Sequence, residues 1–402
     1  MGRTKSWGME QQERGFYSVG DKFICADCIG DDDIKEFINI NATHNRCDYC
    51  GKSEPDTSVH FDEFMGFVLQ GISSEYGDPN NEGVPWEKGW MGDVYNTYDL
   101  VYEEIGLEAD DRVLDDIISS LSDRQWCQRG FFQLKPKDVL KYGWNEFVRL
   151  VKHKARYVFY RADDSESSTR GHEGIPPGQF LDALCSAIDN AGLHKSIKKG
   201  AYIYRVRVHA ESEHPSSSKE LGPPPYESAL YSNRMSPSGI PMFYGAFDVT
   251  TAVKETYTTT DRNKTATIGQ FKLLRDLNFI DISNLPEVPG LFSPDSRDKR
   301  HSLMFLRGFA HDISQPVLKD EREHIDYVPT QILSEHIRHI YKTPDNAAID
   351  GIIYKSSKEG ANDACVIFIE NEDCCNSSDD CSGEVLALTH VERIDPEGYR
   401  NK

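Results

Sequence analysis

Asn233-Arg234-Met235-Ser236-Pro237-Ser238-Gly239-Ile240-Pro241-Met242-Phe243-Tyr244-Gly245-Ala246-Phe247-Asp248-Val249-Thr250-Thr251-Ala252-Val253-Lys254-Glu255 runs through a loop, a strand and a helix in immediate succession. The Ser/Pro/Gly-rich opening suits turns and presents Arg234. Residues 242–247 are apolar and aromatic, read as a strand, and carry Tyr244. Asp248 is a typical N-cap for a short helix over 249–257, which carries Glu255.

Outward from this stretch the pattern stays mixed. Tyr202-Ile203-Tyr204-Arg205-Val206-Arg207-Val208 alternates with period two, as a strand requires. A long Ser/Pro/Gly loop separates it from residue 242. Further strands are expected at 265–274, 349–355, 364–369 and 385–394, with helices at 297–311 and 328–341. Short strands without repeating βαβ units indicate an α+β fold. The strand in Asp350-Gly351-Ile352-Ile353-Tyr354-Lys355-Ser356-Ser357 delivers a serine. Arg, Tyr, Glu and Ser brought from separated elements suit a dinucleotide with phosphates, riboses and a flat cationic ring. Taken singly, each has a plain structural explanation. Arg234 is a solvated charge, Tyr244 packs between Phe243 and Phe247, Glu255 faces water, and Ser356 ends a strand. Their order and spacing carry the functional reading.

From about residue 57 to 193 the periodicity is helical. The stripes are Phe61, Phe64, Val68, Ile72; Val113, Leu114, Ile117, Ile118, Leu121; Leu140, Trp144, Phe147, Val148, Val151; and Phe180, Leu181, Leu184, Ile188. The last follows a loop at 171–178. Residues 1–56 are polar and turn-rich. They hold Cys25-Ala26-Asp27-Cys28 and Cys47-Asp48-Tyr49-Cys50, with eighteen residues between. Two CxxC turns offer four thiolates to one zinc ion in a closed structural site; two disulfides or free thiols are the rival readings. His44 is a spare ligand that a complete four-cysteine site does not need. Cys127, Cys185, Cys365, Cys374, Cys375 and Cys381 are expected as reduced thiols, the last three on an exposed polar loop. The expected division is 1–56 zinc segment, 57–197 all-α helical domain and 198–402 α+β domain.

Lys+Arg 45 against Asp+Glu 66 gives a net charge of −21, which repels phosphate backbones. Asp31, Asp32, Asp33 and Glu36 beside the cysteines argue the same way, so no nucleic-acid partner is expected. No apolar run approaches the ~20 residues of a membrane span. Met1–Trp7 lacks the apolar stretch of a secretory signal, so a cytoplasmic protein is expected. No P-loop, Rossmann fingerprint or G-x-S-x-G elbow occurs. Arg149 and His153 have only three residues between them, short of the spacing of a ribonuclease helix. Residues 57–195 therefore read as a scaffold or regulatory domain.

The C-terminal residues resemble the RES-domain family, named for its Arg, Glu and Ser. The resemblance rests on Leu221-Gly222-Pro223-Pro224-Pro225, the Arg234–Gly239 loop, Phe243-Tyr244-Gly245-Ala246, Thr251-Ala252 followed by Glu255, and Asp350-Gly351-Ile352 with Tyr354 and Ser356. It covers roughly residues 200–395. The front half is similar to the N-terminal domain often joined to RES domains, a relative of the HEPN group. The resemblance implies an ADP-ribosyltransferase-like core of two packed antiparallel sheets around an NAD+ cleft. It also implies a toxin or defence effector that consumes NAD+ by hydrolysis or phosphorolysis. Transfer of ADP-ribose to a protein, and a non-catalytic adaptor with an inert RES fold, are the alternatives. Carried over residue by residue, it makes Arg234, Tyr244, Glu255 and Ser356 (ahead of Ser357) the catalytic set, with Arg205 as a second phosphate contact. Glu255 would stabilise the ribosyl cation and Arg234 grip the pyrophosphate. Tyr244 would stack on nicotinamide, and Ser356 orient the ribose or amide. NAD+ enters as substrate and zinc as a structural cofactor. An antitoxin or regulatory protein and a second copy of the chain stay open as partners. The long stretch between Glu255 and Ser356 is expected to cap the cleft or form an interface.

Overall fold

The apolar stripes at 61–72 and 113–121 build the core of the first of two units, and those at 140–151 and 180–188 fall in the second. The computed structural model describes residues 14–121, 124–161, 174–257, 265–314, 322–358 and 360–399; the segment Met1–Trp7 and the first part of the 171–178 loop lie outside them. One unit gathers Met1–Leu134 and Val288–Arg300, the other Lys135–Glu287 and His301–Lys402. No helix among the described residues is long and apolar enough to cross a membrane.

In the first unit the helices are α1 (Asp32–Asn41), α2 (Phe61–Glu75) and α3 (Asp111–Ser120). Phe61, Phe64, Val68 and Ile72 of α2, with Val113 and Ile117 of α3, are fully buried. The cysteines Cys25, Cys28 and Cys47 belong to this same core, so the cysteine-rich front folds onto the helices. α1 falls where no helical periodicity was expected. Asp31 caps it by accepting the Ile34 N–H at 3.0 Å, and Ile34 and Ile38 are its buried face. The acidic cluster is therefore a helix start complementing the macrodipole.

The all-α expectation for the middle is corrected. Strands β1 (Phe23–Cys25), β2 (His44–Arg46) and β3 (Ser53–His60) pair in the order β1-β3-β2, and β4 (Tyr76–Gly77), β5 (Val94–Asn96) and β6 (Gln125–Gln128) in the order β4-β6-β5. Strands β4, β5 and β6, of two to four residues, are too short to display alternation.

The second unit begins with α4 (Pro136–His153) and α5 (Phe180–Ala191). α6 (Val249–Thr256), α7 (Arg300–Ser314) and α8 (Val328–His339) follow. Its strands are β7 (His194–Ile197), β8 (Tyr202–His209), β9 (Phe243–Ala246), β10 (Thr265–Leu273), β11 (Leu277–Asp281), β12 (Gly351–Lys355), β13 (Asp363–Ile367), β14 (Cys374–Asn376) and β15 (Leu386–Ile394). They form a ladder in the order β14-β15-β10-β8-β9-β13-β12-β11-β7. Two packed antiparallel sheets were expected. The described residues show one ladder, with β11–β12 and β14–β15 parallel. Its two halves meet at a single register pair, Tyr204 opposite Ala246. Gly245 permits this crossing: a Cβ there would lie 2.6 Å from Ile203 Cγ2 and 3.0 Å from the Tyr204 carbonyl oxygen.

The 374–381 loop is also corrected. Cys374 and Cys375 are buried because β14 joins the sheet beside Leu386 and Ala387, and Cys375 forms a disulfide with Cys381. Cys127, Cys185, Cys365 and Cys374 are buried free thiols.

Asp350 and Gly351 are structural. Asp350 pairs with Arg275 at 2.7 Å and accepts the Asn278 N–H at 2.8 Å. A Cβ at Gly351 would stand 2.3 Å from the Val366 carbonyl oxygen, which cannot rotate away. Gly351→Ala should therefore destabilise the fold by about 1–3 kcal/mol. Urea unfolding would read this as a lower midpoint at unchanged slope; an unchanged midpoint contradicts the close approach.

Candidate active site

Where β8 and β9 diverge, a cleft of about 600 Å³ opens in the second unit. Its charged lining is Arg205, Arg207, Arg234, Lys355 and Lys358 against one carboxylate, Glu255. A basic cleft in a chain of net charge −21 concentrates field on an anionic ligand.

Arg205 leaves β8 with its guanidinium 5.2 Å from the Phe243 ring centroid, and Nη1 donates to the Tyr244 carbonyl at 3.1 Å. Among the described residues no carboxylate pairs with it. Burial lowers its pKa to about 10, so it remains a cation at neutral pH. A desolvated, unneutralised guanidinium favours an anion beside it.

Arg234 is held from several sides. Its Nη1 donates to the Ile313 carbonyl of α7, and its guanidinium lies 5.8 Å from the Tyr327 ring. α8 buttresses the loop: Gln331 Nε2 donates to Ser232 Oγ at 2.6 Å, to the Asn233 carbonyl at 2.8 Å and to the Ser236 carbonyl at 3.3 Å. Thr330 Oγ1 donates to the Arg234 carbonyl. The segment expected as a cap or interface is thus the support of the Arg234 loop. Tyr244 in turn fixes the loop's inner end. Its hydroxyl accepts the Met235 N–H at 3.2 Å and shares a hydrogen bond with Ser236 Oγ at 3.0 Å. Burial pushes its pKa up to about 12, so the phenol keeps its proton at neutral pH.

Glu255 reaches the cleft because α6 is bolted down at its start. Asp248 accepts the Thr251 N–H at 2.8 Å and its hydroxyl at 2.7 Å, while Thr251 Oγ1 accepts the Asn362 N–H at 2.8 Å. This couples α6 to the β12–β13 turn that bears Ser356. The buried Ser356 hydroxyl donates to Glu255 Oε1 and accepts the Lys358 N–H at 3.1 Å.

A RES domain matches residues 203–387, and HEPN/RES N-terminal domain 1 matches residues 40–165. The chain carries a RES domain. No curated protein matches it. Among solved structures it is similar to the crystal structure of the M. tuberculosis MbcT–MbcA toxin–antitoxin complex, at 13% identity and a TM-score of 0.30. That match covers 55% of this chain and 96% of that chain. A score at that level leaves the fold to this chain's own geometry.

Within the RES domain the four cleft residues Arg205, Arg234, Tyr244 and Glu255 come together. Ser356 meets Glu255 from the wall of an adjoining cavity of about 670 Å³, whereas Ser357 lines both spaces. Tyr354 also lines the cleft, its phenol held well above the usual range by burial and then by Glu255. It stands on β12, two residues before Ser356 in the turn that follows. Tyr327 and Gln331 had no local signal in the sequence. On α4, Arg149 pairs with Glu146 within its own helix at 2.7 Å, and His153 is exposed.

In the first unit the sulfurs of Cys25, Cys28, Cys47 and Cys50 all lie within 4.8 Å of one another. Cys25–Cys28 is 3.8 Å, Cys28–Cys47 3.7 Å and Cys25–Cys50 3.4 Å, and all four are free thiols. Tetrahedral zinc with bonds of about 2.3 Å spaces its sulfurs about 3.8 Å apart, so the cluster fits that ion. Gly51, at φ +75°, makes the second knuckle turn. His44 stacks on Phe23 at 3.8 Å, apart from the cluster.

Gln331→Leu should remove the clamp and leave buried acceptors unpaired, costing about 1–3 kcal/mol locally. Hydrogen exchange at Met235 and through 229–240 should accelerate while β10 and β15 keep their protection; unchanged exchange there contradicts the clamp.

Proposed function

We propose that the RES domain binds NAD+ and breaks its nicotinamide–ribose bond, passing ADP-ribose to water or phosphate, as the effector of a toxin-like system. The carrying observation is the Glu255 carboxylate, fixed by the buried Ser356 hydroxyl in a cleft whose other charged groups are cations. Nicotinamide departs with the electron pair of its glycosidic bond, leaving an oxocarbenium-like ribose. A carboxylate already oriented by Ser356 stabilises that charge without reorganising. Arg205 and Arg234 suit the pyrophosphate, whose oxygens match a planar guanidinium fork. Tyr244, neutral at physiological pH, offers its ring to the departing base. An antitoxin or regulatory protein belongs to the same reading, because NAD+ loss must be restrained until needed.

The four-cysteine cluster takes a structural zinc ion in this reading. Four thiolates close the coordination shell and stabilise a small polar segment.

Purified wild type should consume NAD+ and release nicotinamide, and Glu255→Ala should cut the rate ~10²-fold or more. Phosphate dependence separates phosphorolysis from hydrolysis. A folded wild type that releases no nicotinamide and labels no protein contradicts the reading. Elemental analysis should find a single zinc ion per chain, lost in Cys28→Ser together with stability of the first unit. A folded, zinc-free wild type excludes the metal.

A further inference from the structure

Two supports of the Arg234 guanidinium rest on α4, a helix that lies within the match to HEPN/RES N-terminal domain 1. The first runs through α7. Trp144 of α4 meets Phe309 edge-on, with ring centroids 5.0 Å apart. Ile313, one turn further along the same face of α7, offers its carbonyl to Arg234 Nη1. The second support runs through the start of α8, which packs against α4. Lys152 Nζ lies 2.9 Å from Asp326 Oδ1, with both side chains largely covered; Arg322 stands 4.0 Å from the other carboxylate oxygen. The next residue, Tyr327, carries the ring beneath the Arg234 guanidinium. α8 then clamps the loop itself through Thr330 and Gln331.

We infer that α4, the part of the N-terminal match that belongs to the second unit, sets the position of Arg234 and with it the affinity for NAD+, with Lys152 and Trp144 as positioning residues. This rests on the reading of the cleft as an NAD+ site. A fork that must meet two phosphate oxygens tolerates little displacement, and a shift of α4 moves these two supports together. A partner that grips α4 in one of two arrangements would be coupled to the cleft by the same contacts.

Lys152 is the residue to vary, since Trp144 variants risk the core. In the full chain, Lys152→Glu should raise KM for NAD+ roughly fivefold or more while kcat stays within about twofold. Lys152→Arg should behave as wild type, and the exchanged pair Lys152→Asp with Asp326→Lys should recover most of the loss. Hydrogen exchange at Met235, read without nucleotide, should be faster in Lys152→Glu than in wild type. Unaltered KM and unaltered Met235 exchange in a folded Lys152→Glu protein would overturn the inference. If wild type neither binds nor consumes NAD+, the cleft reading fails; faster Met235 exchange would still support the relay, and unchanged exchange would end it.

Discussion

A ladder of nine strands has no natural opening, and here one is made by confining β8 and β9 to a single pair. Tyr204 meets Ala246 and the strands then part. Gly245 makes the crossing possible, since any side chain there would strike β8. The rest of the site follows from that divergence. Arg205 points from one strand, Tyr244 from the other, and the loop before β9 is free to carry Arg234 into the gap. α6 brings Glu255 across it, anchored by the Asp248–Thr251–Asn362 chain to the turn that holds Ser356.

Electrostatics gives the gap its preference. The chain as a whole is strongly acidic, yet the charged groups lining the cleft are basic apart from Glu255. Arg205 keeps its charge although burial lowers its pKa, while Tyr244 keeps its proton because burial raises its own. The site at neutral pH therefore combines fixed cations, a neutral phenol and one oriented carboxylate. These are the groups a dinucleotide with a scissile glycosidic bond would use.

Local signals in the sequence were reliable where a residue acts through its neighbours. The strand at Tyr202–His209, the Asp248 cap and the buried face of α2 stand close to where alternation, capping and helical spacing put them. Arg234, Tyr244, Glu255 and Ser356 were legible as an ordered set, and four-cysteine spacing foretold a cluster. What was illegible depends on distance along the chain or on misleading polarity. Gln331 holds a loop almost a hundred residues away, which no window of sequence reveals. Asp31–Asp33 looked like a repulsive surface and proved to be a helix start. Ser377, Ser378, Asp379 and Asp380 made the cysteine loop look exposed, although β14 buries Cys374 and Cys375 in the sheet.

The central claim is that Glu255 faces the scissile bond of NAD+ while Arg205 and Arg234 hold its pyrophosphate. A crystal structure of Glu255→Gln with NAD+ tests this most directly, since the variant keeps the shape of the side chain and removes its charge. The account predicts the nicotinamide ribose beside residue 255 and Ser356, with the phosphates between the two guanidinium groups. NAD+ bound elsewhere, or with its phosphates away from Arg205 and Arg234, would contradict it.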